Sequence, residues 1–548
     1  MSNHKKNCKS KIQSSEIKKK KIGFFSSILL VVGSSIGAGI FLKNGEILNN
    51  VGGSYLLTLI SWVFSIIGVI CMGLALVEVS SADNNRNLGV IGWVKTFCNK
   101  FLYKCAKNYM AFISLPLCFF ITPYYTMMMF QDAFGWQSSW WLIAIISLTI
   151  TTWFLIVSGI SSFVGNIQNW IITSVKFIPL VFACIAGFVV VTINHKPMGQ
   201  ISLLPNVIQT HTTFIMLTRT WGLLGIVGSI PAITFAFDGF YNAAGMRSEM
   251  KEPKKIPQTL LIGLLIVSII YVLIGLSLLI GSGNNNQGKI SGLDLIPHWL
   301  IAIIEILIAF GILGITNIVA IYNPRYFENL IEIGDLPCPK KYKNKLNNDC
   351  PLVRVIYSGI IIVCLFLILT FIGAFAYNDV SDYHNSAKLT PFLGCEVING
   401  YDLNNSTHKL DNLYSFIGLM SNWNPIIVFL FILFPIAGAL INRRTHKIKV
   451  NPTRGFTISA WVSLIIIGLG LVFIFVSSFA NPIIIYSWSK DIGRNIILPN
   501  GESHEYLRNE WNLEMLGSIM TLVMLFTFLS ISIIPSVFEI KHGILHKK

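Results

Sequence analysis

Apolar runs of about twenty residues recur along this chain, and each is long enough to cross a bilayer. They fall at 24–42, 54–78, 108–130, 140–158, 167–192, 222–247, 259–281, 297–320, 355–377, 414–441, 456–478 and 515–537. A segment surrounded by hydrocarbon must satisfy its own backbone N–H and C=O groups, so every run is expected to be helical. The expected fold class is an all-α polytopic membrane protein with about twelve transmembrane helices. Composition agrees: 53% of residues are hydrophobic and 12% are charged, where a soluble chain carries about 25% charged residues. The first run is not read as a cleaved signal peptide, because it is polar in its middle and the chain goes straight on into further spans.

A net charge of +16 raises nucleic acid as a partner, but the distribution of charge argues against it. With the N-terminus placed in the cytoplasm, 31 of the 41 Lys and Arg residues fall in cytoplasmic segments, nine (Lys43 among them) fall in outer segments, and Lys176 lies inside a span. Such a bias sets orientation. The expectation is a multi-pass protein of the cell membrane with both termini cytoplasmic. The basic tail also faces membrane lipid. Ten cysteines include only one, Cys395, in an outer loop, so no disulfide is expected across that face. No Cys/His cluster has metal-ligand spacing, and no nucleotide loop or nucleophile triad is legible. No enzyme activity, cofactor or metal is expected. The longest polar segments are the outer loops 378–413 and 479–514; Asn404 and Asn405 head glycosylation sequons in the first of them.

Two spans contain breaks. The first reads Val-Val-Gly-Ser-Ser-Ile-Gly-Ala-Gly-Ile-Phe over residues 31–41, and the sixth contains Phe-Ala-Phe-Asp-Gly over residues 235–239. Glycine is a poor residue for a helix interior. One explanation is close helix packing through small residues. The other is deliberate unwinding, tolerated where the freed backbone lines a cavity. Breaks at positions one and six of a five-plus-five arrangement are the mark of an inverted-repeat carrier. The expected organisation is a basic tail (1–22), a first five-helix repeat (23–192), a second (221–442), two further helices (455–537) and a short tail (538–548). Bare N–H groups at a half-helix N-terminus attract a carboxylate, and bare carbonyls at the facing break accept an ammonium. Together they would receive a zwitterion.

Three motifs resemble the amino acid–polyamine–organocation superfamily of permeases. They are Gly33–Phe41 in span one; Phe235–Gly239 followed by Glu249 and Pro253 in span six; and Asn317, Arg325 and Gly334-Asp335-Leu336-Pro337 at span eight. The resemblance covers spans one to ten in order. It implies a leucine-transporter-type fold, a 5+5 inverted repeat plus two extra helices, and transport of amino acids or related amines. It further implies a substrate site made by Ser35, Gly37, Ala38, Gly39, Phe235, Ala236 and Asp238. There, backbone N–H groups at Gly37, Ala38 and Gly39 would hold the carboxylate. Carbonyls at Ser35, Phe235 and Asp238 would hold the amino group, with the Phe235 ring as outer gate. Lys176 in span five would place its ammonium where other carriers bind a sodium ion between spans one and eight. This sequence departs from the family at span eight, where Ile315 replaces a small hydroxyl residue and Thr316 is expected to face elsewhere.

Three ionisable residues carry open readings. Lys176 is either a fixed structural cation or a titrating group that couples transport to protons. Asp238 reads a cationic substrate side chain, carries a proton, pairs with Lys176 or caps the restarted half-helix. Glu305 faces an outer vestibule or is a solvated residue near a helix end. The function these features imply is secondary amino acid transport by alternating access, sodium-independent, driven by a proton gradient or by exchange. A polyamine or amine carrier on the same fold is the alternative. A non-transporting amino acid sensor is less well supported, because segments 1–22 and 538–548 leave no room for a signalling domain.

Overall fold

The computed structural model describes residues 23–36, 39–51, 54–82, 89–136, 138–194, 222–241, 252, 255–281, 298–336, 351–377, 406–492 and 504–545. Its regular elements are all helical. The chain opens with α1 (Phe24–Ser35), α2 (Gly39–Asn50), α3 (Tyr55–Ser81) and α4 (Val90–Phe97). Next, α5 (Lys100–Tyr109) runs through a π turn at Met110–Ser114 into α6 (Leu115–Phe134), followed by α7 (Trp140–Ile160) and α8 (Ser162–Asn194). The second half begins with α9 (Gly222–Gly228) and α10 (Ile230–Ala236), then α11 (Ile256–Gly281), α12 (His298–Ile333) and α13 (Pro351–Phe371). The last three helices are α14 (Ser406–Thr445), α15 (Phe456–Ile492) and α16 (His504–Leu545).

Among the described residues, ten helices are long and apolar enough to cross a membrane. The expected span 24–42 is covered by the pair α1–α2, and residues 222–236 of the sixth by the short pair α9–α10; residues 242–247 lie outside the described residues. The ends have local causes. The Ser54 hydroxyl caps α3 by accepting the Leu57 N–H at 3.4 Å, and Asn99 caps α5 by accepting the Leu102 N–H at 2.8 Å. α12 stops at Gly334, whose φ of +84° is open to glycine. The Asp335 N–H then closes back on the Leu330 carbonyl at 2.9 Å, as a helix C-terminus requires.

α12 packs on α6, α8, α7 and α13, while α11 joins α8 to α3 and α1. Two ionic clusters tie helix ends together at the end expected to face the cytoplasm. Glu78 closes α3 by accepting two hydrogen bonds from Arg443 of α14, at 2.7 and 2.6 Å, and one from the Thr453 N–H at 2.8 Å. Asp335 accepts from Lys104 at 2.6 Å and from the Tyr103 hydroxyl. Lys107 reaches Glu539 of α16 at 2.8 Å. Burial acts to raise the Asp335 carboxyl, but the hydrogen bonds from Lys104 and Tyr103 outweigh it and hold the group below the usual carboxylate range.

The structure corrects several sequence expectations. The helix that carries the third span begins at Lys100, eight residues before the expected start. The first continues as α2 to Asn50, so Lys43 is not in an outer loop; it lies within a helix and is 2% exposed. Lys107 is also buried, at the end expected to face the cytoplasm. Glu305 is 4% exposed and is therefore not a solvated helix-end residue. In each case the cause is a helix that runs on, or a neighbour that covers the residue, beyond what an apolar window registers.

Candidate functional site

α1 ends because Ile36 turns extended (φ −79°, ψ 109°), and the helix resumes as α2 at Gly39. In the sixth span α10 ends at Ala236, three turn residues follow, and Gly239 takes φ +96°. The two breaks face each other. A Cβ built on Gly39 would lie 2.5 Å from Ala236 Cα and 2.9 Å from Ala236 Cβ, so only glycine permits this approach. The Tyr271 hydroxyl of α11 spans the gap: it lies 3.1 Å from the Ser35 carbonyl and 2.7 Å from the Ala236 carbonyl. Trp62 and Phe237 pack edge-on against its ring. The Ser35 hydroxyl is buried in the break and has no hydrogen-bond partner among the described residues. Gly37, Ala38, Glu249 and Pro253 lie outside the described residues.

Lys176 points at the broken end of α1. Its ammonium donates to the Ile36 carbonyl at 3.0 Å and to the Gly33 carbonyl. A helix end leaves carbonyls unpaired, and a cation is a favourable partner for them. On the α12 side Lys176 packs against Gly311 rather than a hydroxyl. Thr316 instead lies 2.7 Å from the Thr122 hydroxyl of α6, and Asn317 donates to the Gly165 carbonyl at 2.9 Å. Lys176 and Asp238 form no ion pair with each other among the described residues. The Asp238 carboxylate accepts from the Tyr241 hydroxyl at 3.0 Å, and its N–H donates to the Phe235 carbonyl at 3.2 Å.

Above the breaks, Phe235 sits under a polar closure. Tyr125 of α6 stands against its ring at 6.3 Å and bonds Ser421 of α14 at 3.0 Å. The Lys43 ammonium lies 5.6 Å from the Phe235 ring centre. It donates to the Gly418 carbonyl at 3.1 Å and to Glu46 at 2.9 Å. Glu46 in turn accepts from Asn422 at 2.6 Å. α2 is thus held to α14 by two polar contacts, Lys43 to Gly418 and Asn422 to Glu46. Sequence reasoning missed Tyr271 and Lys43. A tyrosine alone in an apolar helix needs a partner for its hydroxyl, which was the available signal for Tyr271. For Lys43, the signal was that α2 continues past residue 42.

Lys43→Met is expected to remove the contact to Gly418 that joins α2 to α14, together with the ion pair to Glu46 within α2. A hydrogen bond to a charged group contributes roughly 1.5–3 kcal/mol, so the open state should gain about tenfold or more. The check is outside labelling of a Met129→Cys reporter, buried one turn beyond Tyr125, by an impermeant maleimide after subtraction of the parent background; it should be faster in Lys43→Met. An unchanged rate would mean that these contacts do not hold the closure.

Two broken helices meeting inside a bundle of long apolar helices place the chain among integral, multi-pass membrane proteins. The sequence model of the amino acid permease family matches residues 22–497, and the chain belongs to that family. An uncharacterized protein of Mycoplasma pneumoniae is 34% identical over 549 residues, covering 94% of each chain. The serine/threonine exchanger SteT of Bacillus subtilis is 26% identical over 262 residues, 48% of this chain and 55% of that one. Among solved structures, MhsT in complex with L-phenylalanine is similar at 13% identity and a TM-score of 0.47, over 82% of this chain and 97% of that one. The manganese transporter of Eremococcus coleocola is similar at 14% identity and a TM-score of 0.43, over 96% and 97%.

Proposed function

We propose that this protein is a secondary amino acid transporter that works by alternating access, without sodium, driven by a proton gradient or by exchange. The observation that carries the reading is the Ser35 hydroxyl, buried without a partner among the described residues where the broken helices meet. A buried hydroxyl left unbonded is costly, and a polar ligand seated in the break would relieve it. Ser35, Gly37, Ala38, Gly39, Phe235, Ala236 and Asp238 form the substrate site, with Phe235 as its gate. The Ser35 and Phe235 carbonyls already accept one hydrogen bond each, and each has a second lone pair for a substrate ammonium. Similarity to a serine/threonine exchanger favours an amino acid over an amine. The repeats are assigned to 23–192 and 221–442, with both termini cytoplasmic.

Sodium independence rests on Lys176, whose ammonium occupies the carbonyls at the end of α1. The test is uptake of radiolabelled amino acids into proteoliposomes, with putrescine as competitor and with choline replacing sodium at constant pH. Amino acid uptake should be unchanged by choline and unaffected by putrescine. Inhibition by putrescine with no amino acid uptake would replace this reading with that of an amine carrier.

The hydrogen bond from Tyr241 favours an anchoring role for Asp238. Asp238→Asn keeps its size and acceptor oxygen. It is expected to lower arginine, lysine, serine and leucine uptake alike, measured by competition beside the wild type. Selective loss of the cationic substrates would show that Asp238 reads charge.

A further inference from the structure

We propose that Glu305, set beside Asp132 at the outer end of the bundle, is a proton-binding site through which external acid closes the outer gate. Glu305 lies in the third turn of α12 and is 4% exposed, and its Oε2 has no hydrogen-bond partner. Ionised there, that oxygen would be a buried charge with no donor among the described residues, which is unfavourable. Asp132 of α6 lies within electrostatic reach and adds like-charge repulsion. A proton on Glu305 removes both penalties.

Among the described residues, the one cation at the outer ends of the helices around this site is Lys409 of α14, which sits over the Phe375 ring at 4.7 Å. α6 contributes Asp132. α14 contributes Asp411 and Tyr414; the Tyr414 hydroxyl donates to Gln131, next to Asp132. Among the described residues, α7 and the outer ends of α8 and α13 carry no charged side chain. Lys176 of α8 is engaged with α1 and meets α12 at Gly311, about 9 Å further along the helix axis. A metal ion is a poor occupant. Calcium takes roughly six to eight oxygens, and no group of three or more His, Cys, Asp or Glu is present among the described residues.

The site shares two helix faces with the outer closure. Asp132 lies two turns beyond Tyr125 on α6, and Tyr414 lies two turns before Ser421 on α14. Tyr125 and Ser421 are bonded to each other at 3.0 Å over Phe235. Opening the closure parts α6 from α14 and admits water to Glu305, which then ionises. A proton taken from the outer solution returns the carboxyl to its buried state and favours closure. Only an O–H bond is made or broken, and hydronium supplies the proton.

The experiment reads the gate and needs no substrate, so it stands or falls separately from the transport reading. A Met129→Cys reporter, one turn beyond Tyr125 and 1% exposed, is labelled in proteoliposomes from outside with an impermeant maleimide across about pH 5.5 to about pH 8.5, with rates corrected for thiolate content. In the parent, corrected labelling should be roughly tenfold slower in acid. Glu305→Gln, a permanent mimic of the protonated form, should label slowly at both ends of that range. Asp132→Asn removes the neighbouring charge and should move the midpoint to lower pH. This second variant keeps the test decisive if Glu305→Gln fails to fold. Full acid dependence retained in Glu305→Gln, or an unmoved midpoint in Asp132→Asn, overturns the proposal.

Discussion

Gly39→Val is expected to abolish substrate binding and transport while the protein still inserts and purifies. The reason is distance. A single Cβ at this position would lie 2.5 Å from a backbone carbon of α10, and 3.0 Å from the Ala236 nitrogen. Backbone cannot rotate aside as a side chain can, so α2 and α10 must separate. The two breaks would then no longer present their polar groups to one ligand. The loss should exceed tenfold in affinity, since a misplacement of about 1 Å at a preorganised site costs on the order of a hundredfold. Scintillation proximity binding measures it. Gly468→Ala is the matched control: a Cβ there meets nothing within 4 Å, and binding should be unchanged. Wild-type affinity in Gly39→Val would mean that the breaks need not touch.

Lys176→Met should be nearly as severe. It keeps the length of the side chain and removes the donor to the Gly33 and Ile36 carbonyls. A buried group that loses its partner costs about 1–3 kcal/mol, and two are affected. The broken end of α1 should then sit in an altered position, with transport reduced more than tenfold. Because the vacated volume faces carbonyl oxygens, added sodium may be tested for rescue; partial recovery would show that the ammonium stands in for a cation. Uptake at the wild-type level in Lys176→Met would remove Lys176 from the working parts of the protein.

Features conspicuous within a single segment were legible in the sequence. Three glycines in seven residues of an apolar run marked the first break, and a lysine amid Phe, Ile and Val marked the cation. Thr316 was expected to turn away from the cation, and it meets α6. What was hidden depends on partners distant in the chain. Lys107 and Glu539 are 432 positions apart, and neither has a motif. Glu305 looked solvated because burial is decided by the helix packed over it, not by its own neighbours in sequence. Lys43 was placed outside because an apolar window ends at the first charge, whereas a helix with a counter-ion on its next turn does not.

Tyr271 gives the meeting of the breaks a mechanical property. Its hydroxyl has one proton and lies against two carbonyls, at 3.1 and 2.7 Å, one on each interrupted span. A donor shared in this way works like a bearing. Were one span displaced against the other, the proton could turn from the receding oxygen to the approaching one without losing an acceptor, and the rings of Trp62 and Phe237 hold the hydroxyl between the two.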